Sequence, residues 1–66
     1  MVNEQPTRRV IRQLRRAGWL PGETVGSHTK WRGINGTVFA LPDGHRTISP
    51  GVYRQLLKAM KEDESR

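Results

Sequence analysis

The residues best suited to acid–base chemistry on a polyanion stand together in the segment His28-Thr29-Lys30-Trp31-Arg32. Side chains alternate between the two faces of a β-strand, so a strand here would place His28, Lys30 and Arg32 on one face. Histidine can accept or donate a proton at neutral pH, and two cations can stabilise charge on phosphate oxygens. This spacing suits cleavage of RNA, in which one group takes the 2′-hydroxyl proton and another protonates the leaving oxygen.

Each of the two histidines also has a structural interpretation. A lone imidazole such as His28, next to Ser27 in a turn, is by residue type more often a solvated or capping residue than a catalytic one. His45, beside Arg46, is either a second acid–base group or phosphate contact, or simply a surface loop residue. Residue chemistry alone favours the structural interpretation at both positions.

The charge of the chain indicates a polyanionic partner. Twelve lysines and arginines against six acidic residues give a net charge of +6 over 66 residues. A cationic surface attracts polyanions through Coulomb attraction and through the release of their counterions. We therefore expect a nucleic acid as the partner, with an acidic protein as the alternative.

The composition also argues against several classes of site. There is no cysteine, so a disulfide or a Cys-based zinc or redox site cannot form. No carboxylate stands at ligand spacing from either histidine, and no G-x-x-x-x-G-K loop is present, so we expect no metal and no nucleotide cofactor. Without an apolar leader or a run of about 18 apolar residues, the expected location is the cytoplasm, with no membrane contact.

The first predicted element is a cationic amphipathic helix between Thr7 and Ala17, which Gly18 ends. Its apolar residues lie within an arc of roughly 120°, and five arginines occupy the opposite arc. We expect this arginine stripe to follow an RNA backbone without reading its sequence, the alternative being a solvated helix face. The apolar residues are Val10, Ile11, Leu14 and Ala17, and the stripe consists of Arg8, Arg9, Arg12, Arg15 and Arg16.

Three strands are predicted in the middle of the chain, where β-branched and aromatic residues alternate with Gly, Asn and Pro. The first covers residues 19–25 and contains Pro21-Gly22, which favours an irregular or edge strand. The second covers His28–Arg32 and the third covers residues 37–41. The Asn35-Gly36 turn signal between the last two predicts an antiparallel hairpin.

A loop from Pro42 to Thr47 follows and holds His45 and Arg46. Ser49-Pro50 then begins a second helix, with Ser as the N-cap and Pro at the first helical position. We expect residues 1–5 and 62–66 to fray. The apolar residues of this helix fall within about 140° of one another: Val52, Tyr53, Leu56, Leu57 and Met60.

These elements predict one small α+β domain, residues 1–66, with an ordered core at about 7–60. The order is α-β-β-β-α. A three-stranded antiparallel sheet has one face to cover and each helix has one apolar stripe, so we expect both helices on the same face of the sheet. In so small a core the aromatic residues are expected to be mainly structural; they are Trp19, Trp31, Phe39 and Tyr53.

Four short segments occur in a characteristic order from about Thr7 to Met60. They are Ala17-Gly18-Trp19 at the end of the arginine-rich helix, Gly26-Ser27-His28 with Trp31, Leu41-Pro42, and Ile48-Ser49-Pro50-Gly51-Val52. Together they resemble the HicA-type toxins of bacterial type II toxin–antitoxin systems. Although Gly-Ser-His alone is a common tripeptide, the order and spacing of all four segments carry the resemblance.

The resemblance implies a fold like the double-stranded-RNA-binding domain and a metal-independent endoribonuclease acting on mRNA, an mRNA interferase. It assigns catalysis to the histidine of the Gly-Ser-His motif, here His28. The implied partners are mRNA and a HicB-type antitoxin that covers the active site. The family's short Pro-x-His segment has one residue more here, Pro42-Asp43-Gly44-His45, so the resemblance carries no role over to His45.

Two other classes remain as alternatives. One is a noncatalytic RNA-binding domain of the same fold, in which His28 contributes only a hydrogen bond. The other, less favoured, is a DNA-binding regulator, because nothing resembles a recognition helix preceded by a turn and a helix. The endoribonuclease and the noncatalytic RNA-binding domain share the same candidate RNA contacts. Besides His28 these are Ser27, Lys30, Arg32, Arg8, Arg12, Arg15, Arg16, His45 and Arg46.

Overall fold

The computed structural model describes residues 3–66 and confirms the predicted α+β class and the α-β-β-β-α order. Two further strands of two residues each pair with one another outside the main sheet. Met1 and Val2, which were predicted to fray, lie outside the described residues. The elements are β1 Gln5–Pro6, α1 Thr7–Arg16, β2 Leu20–Val25, β3 His28–Arg32, β4 Val38–Leu41, β5 Thr47–Ile48 and α2 Pro50–Glu64.

Helix α1 ends where Gly18 allows the chain to turn. Gly18 has a φ of 86°, and its N–H donates to the Arg15 carbonyl at 3.0 Å while the Trp19 N–H donates to the Leu14 carbonyl at 2.9 Å. This pair of bonds is the Schellman motif, which places a glycine in the left-handed conformation just after a helix. The turn directs Trp19 into the core together with Leu14.

Helix α2 begins as predicted, with Ser49 as its N-cap. The Ser49 Oγ accepts a hydrogen bond from the Val52 N–H at 3.3 Å, and Pro50 occupies the first helical position.

In the part of the chain that the structure describes, no helix combines the length and the apolar character needed to cross a membrane.

The sheet has the order β2-β3-β4, with both neighbouring pairs antiparallel. Gly26-Ser27 joins β2 to β3, and the φ of 60° at Gly26 is that of the first central residue of a type II′ turn. The register of β2 shifts between Pro21 and Thr24, as expected of an edge strand that contains proline. The Gly33 N–H donates to the Thr37 carbonyl at 2.7 Å and closes the loop before β4.

Both helices pack on one face of this sheet, as the sequence predicted. The core consists of seven residues with 2% exposure or less, and Tyr53 joins the helices by donating its hydroxyl to Gln13 Oε1 at 2.8 Å. Phe39 and Tyr53 are half-buried against this core, so the structural role expected of the aromatic residues is confirmed. The core residues are Val10, Leu14, Trp19, Trp31, Leu41, Ile48 and Leu56.

The prediction that residues 62–66 fray is wrong. Helix α2 continues to Glu64, and Asp63 is only 3% exposed. The Asp63 carboxylate accepts hydrogen bonds from the N–H groups of Asn35 at 3.2 Å and Thr37 at 3.1 Å, and Asn35 Nδ2 donates to the Asp63 carbonyl at 2.7 Å. A Cβ on Gly33 would overlap this carboxylate. The C-terminal turn of α2 is therefore fixed to the loop between β3 and β4.

The predictions at the other end of the chain also need correction. Gln5, expected to fray, pairs with Ile48, and Pro6 pairs with Thr47, which was expected to lie in a loop. The Thr7 N–H extends this contact by donating to the Arg46 carbonyl at 3.0 Å. Two-residue strands have no detectable periodicity, so only the folded chain shows this pairing.

Asp63 is expected to make the stability of the domain depend on acid pH. Burial raises the pKa of its carboxyl. The N–H groups of Asn35 and Thr37 and the charge of Arg66 lower it by a larger amount, so the net pKa lies below its usual value. Its stabilising contribution is therefore full above the ordinary pKa of about 3.9 and is lost as the pH falls through the lowered folded-state pKa.

Thermal unfolding of the wild type and of Asp63→Asn between about pH 7 and pH 2 measures this contribution. We expect Asp63→Asn to unfold at a lower temperature at neutral pH and to lose less stability on acidification. Glu64→Gln, at the exposed neighbouring position, is the matched control and should follow the wild type. Parallel curves for the wild type and Asp63→Asn would contradict the assignment.

Candidate functional site

The central strand β3 divides its side chains between two environments. Thr29 and Trp31 are buried beneath the helices, whereas His28, Lys30 and Arg32 are exposed on the opposite face. This confirms the alternation predicted from the sequence. We call the helix-free side of β2, β3 and β4 the open face.

Arg32 lies between two exposed apolar residues on the open face. It pairs with Leu20 on β2 and with Val38 on β4, and these side chains are 66% and 52% exposed. Together with Pro21 and Lys30 they line a shallow groove of about 510 Å³. The sequence prediction did not include Leu20 or Val38, because their position beside Arg32 depends on the strand register.

Lys30 has one acidic neighbour on the open face. Its Nζ lies 3.6 Å from Glu23 Oε1, and both side chains are more than half exposed. Exposed pairs of this kind contribute roughly 0–1 kcal/mol, so a phosphate can displace Glu23 at little cost. Lys30 therefore remains available to an anionic ligand.

His28 is the first residue of β3, directly after the turn made by Gly26 and Ser27. Its Nδ1 lies 3.3 Å from Ser27 Oγ, and within residues 3–66 its ring forms no other hydrogen bond. His28 as a whole is exposed, so its imidazole is accessible to a ligand. In the same described range, no three His, Asp or Glu side chains lie close enough to hold a metal ion together.

The loop after β4 packs against this turn and is anchored by Asp43. Thr29 Oγ1 donates to Asp43 Oδ1 at 2.9 Å and Trp31 Nε1 donates to Oδ2 at 3.2 Å. The next residue, Gly44, donates its N–H to the Ser27 carbonyl at 2.9 Å, and a Cβ on Gly44 would lie 2.8 Å from the Ser27 Cβ. The sequence prediction treated Asp43 only as part of a strand breaker and missed this anchor.

The same loop contacts the start of α1. The Thr7 hydroxyl donates to the His45 carbonyl at 2.6 Å and the Thr7 N–H donates to the Arg46 carbonyl at 3.0 Å. Arg46 and Arg8 line one cleft beside Thr7. Hydrogen bonds thus connect three segments that carry predicted site residues: the turn with Ser27 and His28, the loop with His45 and Arg46, and the first turn of α1 with Arg8.

The remaining arginines of the stripe belong to a different surface. Helix α1 buries Val10 and Leu14 in the core, so the exposed Arg12 and Arg16 lie on its outer side. Arg15 also has a structural contact, because its Cζ lies 5.7 Å from the centroid of the Trp31 ring, within the range of a cation–π interaction. Arg12, Arg15 and Arg16 line neither the groove beside Lys30 and Arg32 nor the cleft beside Thr7.

No family model matches this chain, and searches of the curated proteins and of the solved structures found no similar protein. The resemblance to HicA-type toxins therefore rests on the four sequence segments. The α-β-β-β-α order of the structure agrees with the fold that this resemblance implies, but a shared fold does not establish an activity. The function has to be argued from the residues of the site.

Asp43→Ala is expected to lower the free energy of unfolding by about 1–3 kcal/mol, because it leaves Trp31 Nε1 without an acceptor at the edge of the core and leaves the Thr29 hydroxyl only its neighbour Thr24. Asp43→Asn, which retains one acceptor oxygen, should lose less. Urea denaturation measures both changes. Glu23→Gln removes an exposed acid as a control, and a loss for Asp43→Ala no greater than this control's would show that Asp43 is not an anchor.

Proposed function

We propose that this protein is a metal-independent endoribonuclease that cleaves mRNA, the toxin component of a toxin–antitoxin pair. The observation that carries the proposal is His28, which is exposed and whose Nδ1 lies next to Ser27 Oγ. The imidazole starts a strand whose other exposed side chains, Lys30 and Arg32, are cationic. The resemblance of the chain to HicA-type toxins, in which this histidine is catalytic, supports the same role.

In the proposed reaction the His28 imidazole takes the proton of a ribose 2′-hydroxyl. The 2′ oxygen attacks the adjacent phosphorus, the bond to the 5′ oxygen breaks, and the leaving oxygen takes a proton from water. The proton held by His28 then returns to the solvent. The products are a 2′,3′-cyclic phosphate and a 5′-hydroxyl end. Lys30 and Arg32 stabilise the additional negative charge on the phosphate oxygens, and Ser27 orients the ring.

A noncatalytic RNA-binding domain is the second candidate, and one observation favours it. Within residues 3–66, Ser27 is the only hydrogen-bond partner of the His28 ring, so no carboxylate or second imidazole is hydrogen-bonded to it. RNA binding through the same cationic residues would need no such group. The two candidates differ in whether the bound RNA is cleaved.

The proposed partners are mRNA and a HicB-type antitoxin, and the proposed location is the cytoplasm. Exposed apolar residues such as Leu20 and Val38 on the open face suit a protein that covers the groove when the toxin is inactive. Growth arrest on induction of this chain, relieved by co-expression of the product of a neighbouring gene, is the expected cellular result.

His28→Ala is expected to reduce the cleavage rate of a defined RNA by about 10²–10⁴-fold, the usual contribution of a general acid or base. Its affinity for the same RNA with a 2′-deoxy ribose at the cleavage position should stay close to that of the wild type. Gln55→Ala, at an exposed position of α2, is the control and should cleave normally. Equal cleavage by the wild type and His28→Ala would exclude the catalytic role.

The arginine stripe of α1 is expected to make RNA binding steeply salt-dependent. Each phosphate contact to a single strand contributes about 0.7 to the slope of log affinity against log salt concentration. Arg12→Ala and Arg16→Ala should therefore each lower the slope by about that amount. Affinity that barely changes between low and physiological salt would show that the stripe is only a solvated helix face.

A further inference from the structure

Arg8 and Arg46, which are far apart in the sequence, line one cleft of about 550 Å³. Arg8 belongs to the first turn of α1, and Arg46 precedes β5. The other residues of the cleft are Pro6, Thr7 and Ile11, so its lining combines two guanidinium groups with apolar surface and contains no carboxylate. The groove on the open face differs, because Glu23 contributes to its lining.

The backbone on both sides of this cleft is fixed by Thr7, which is only 6% exposed. Its hydroxyl and its N–H hold the carbonyls of His45 and Arg46 at 2.6 and 3.0 Å. The pairing of Pro6 with Thr47 continues this contact. Because the two arginines project from a preformed framework, binding of an anion needs little additional ordering of the backbone.

A short series of backbone contacts connects the cleft to His28. Gly44 is hydrogen-bonded to the Ser27 carbonyl, and Ser27 precedes His28. Gly44 and Arg46 are two residues apart, a separation of at most about 7 Å even in extended chain. A strand of a few nucleotides can therefore span from His28 to the cleft.

We propose that this cleft is a phosphate subsite for the RNA strand whose scissile bond lies at His28. Arg8 and Arg46 bind the backbone phosphate of a nucleotide a few positions from that bond, and Pro6 and Ile11 contact its ribose or base. Guanidinium groups suit this role because their N–H groups match phosphate oxygens in geometry and charge. The inference rests on the proposed function, which sets the scissile bond at His28.

An RNA fits this cleft better than a protein partner does. Protein interfaces are centred on large apolar side chains, and none of the large exposed apolar residues of the described chain lines the cleft. Binding of an acidic protein at the cleft is therefore the competing result in the experiments below. Those exposed residues are Leu20, Val25, Ile34 and Val38.

The first experiment measures binding of RNA made uncleavable by a 2′-deoxy ribose at the scissile position. Arg8→Ala and Arg46→Ala are expected to lose about tenfold in affinity each, and the salt slope should fall by about 0.7. Arg54→Ala, at an exposed position of α2, makes the same change in net charge and should lose less than about twofold. Equal losses in all three variants would overturn the subsite.

The second experiment identifies the phosphate by replacing one linkage of this RNA at a time with a neutral methylphosphonate. One linkage away from the scissile bond should lower wild-type affinity by more than tenfold, because its phosphate contacts both arginines. The same replacement should cost Arg8→Ala and Arg46→Ala less, because each keeps one contact, and should leave the double variant nearly unaffected. The absence of such a linkage would overturn the proposal. Loss of polyglutamate binding in the two variants, with unchanged RNA binding, would instead assign the cleft to an acidic protein.

These binding measurements do not depend on cleavage, so the two proposals fail separately. A wild type that cleaves native RNA but shows no such linkage would overturn the subsite alone. A linkage found for a protein that does not cleave native RNA would support the subsite and overturn the endoribonuclease proposal. Wild-type protein that does not bind RNA would overturn both.

Discussion

Trp31, the fourth of the five residues of the middle strand, is 2% exposed, and its burial orders most of the molecule. Its ring lies in the core beneath the helices, its Nε1 donates to Asp43, and Arg15 lies over its ring. Because neighbouring side chains of a strand point in opposite directions, burying Trp31 exposes Lys30 and Arg32. A slip of one residue in the register would reverse this arrangement and destroy the core and the open face together.

Polar contacts between distant segments complete a core that is small. Asp43 fixes the loop after β4, Asp63 fixes the end of α2, and Thr7 fixes the start of α1. In each contact a buried or half-buried side chain forms hydrogen bonds to a segment that is distant in the sequence. Two of these contacts, those of Asp43 and Thr7, also position the loop of His45 and Arg46, so the framework of the domain and that of the candidate site are the same.

The cationic residues fall into two sets, one connected to His28 and one on the outer side of α1. Lys30 and Arg32 share its strand, and Arg8 and Arg46 are connected to it through the loop after β4. The outer arginines of α1 face away from the sheet. A net charge of +6 therefore indicates attraction to a polyanion, whereas the distribution of that charge determines which part of the polyanion approaches the imidazole.

The sequence by itself determined the features that depend on neighbouring residues. Strand alternation at His28–Arg32, the helical stripe of α1, the stop at Gly18 and the Ser49 cap all follow from local geometry and were predicted correctly. Only the tertiary structure decided the pairing of β1 with β5 and the donors from which Asp43 and Asp63 accept hydrogen bonds. It also placed Arg8 and Arg46 beside one cleft. These contacts join residues far apart in the chain, and no local period encodes which distant donor a carboxylate will meet.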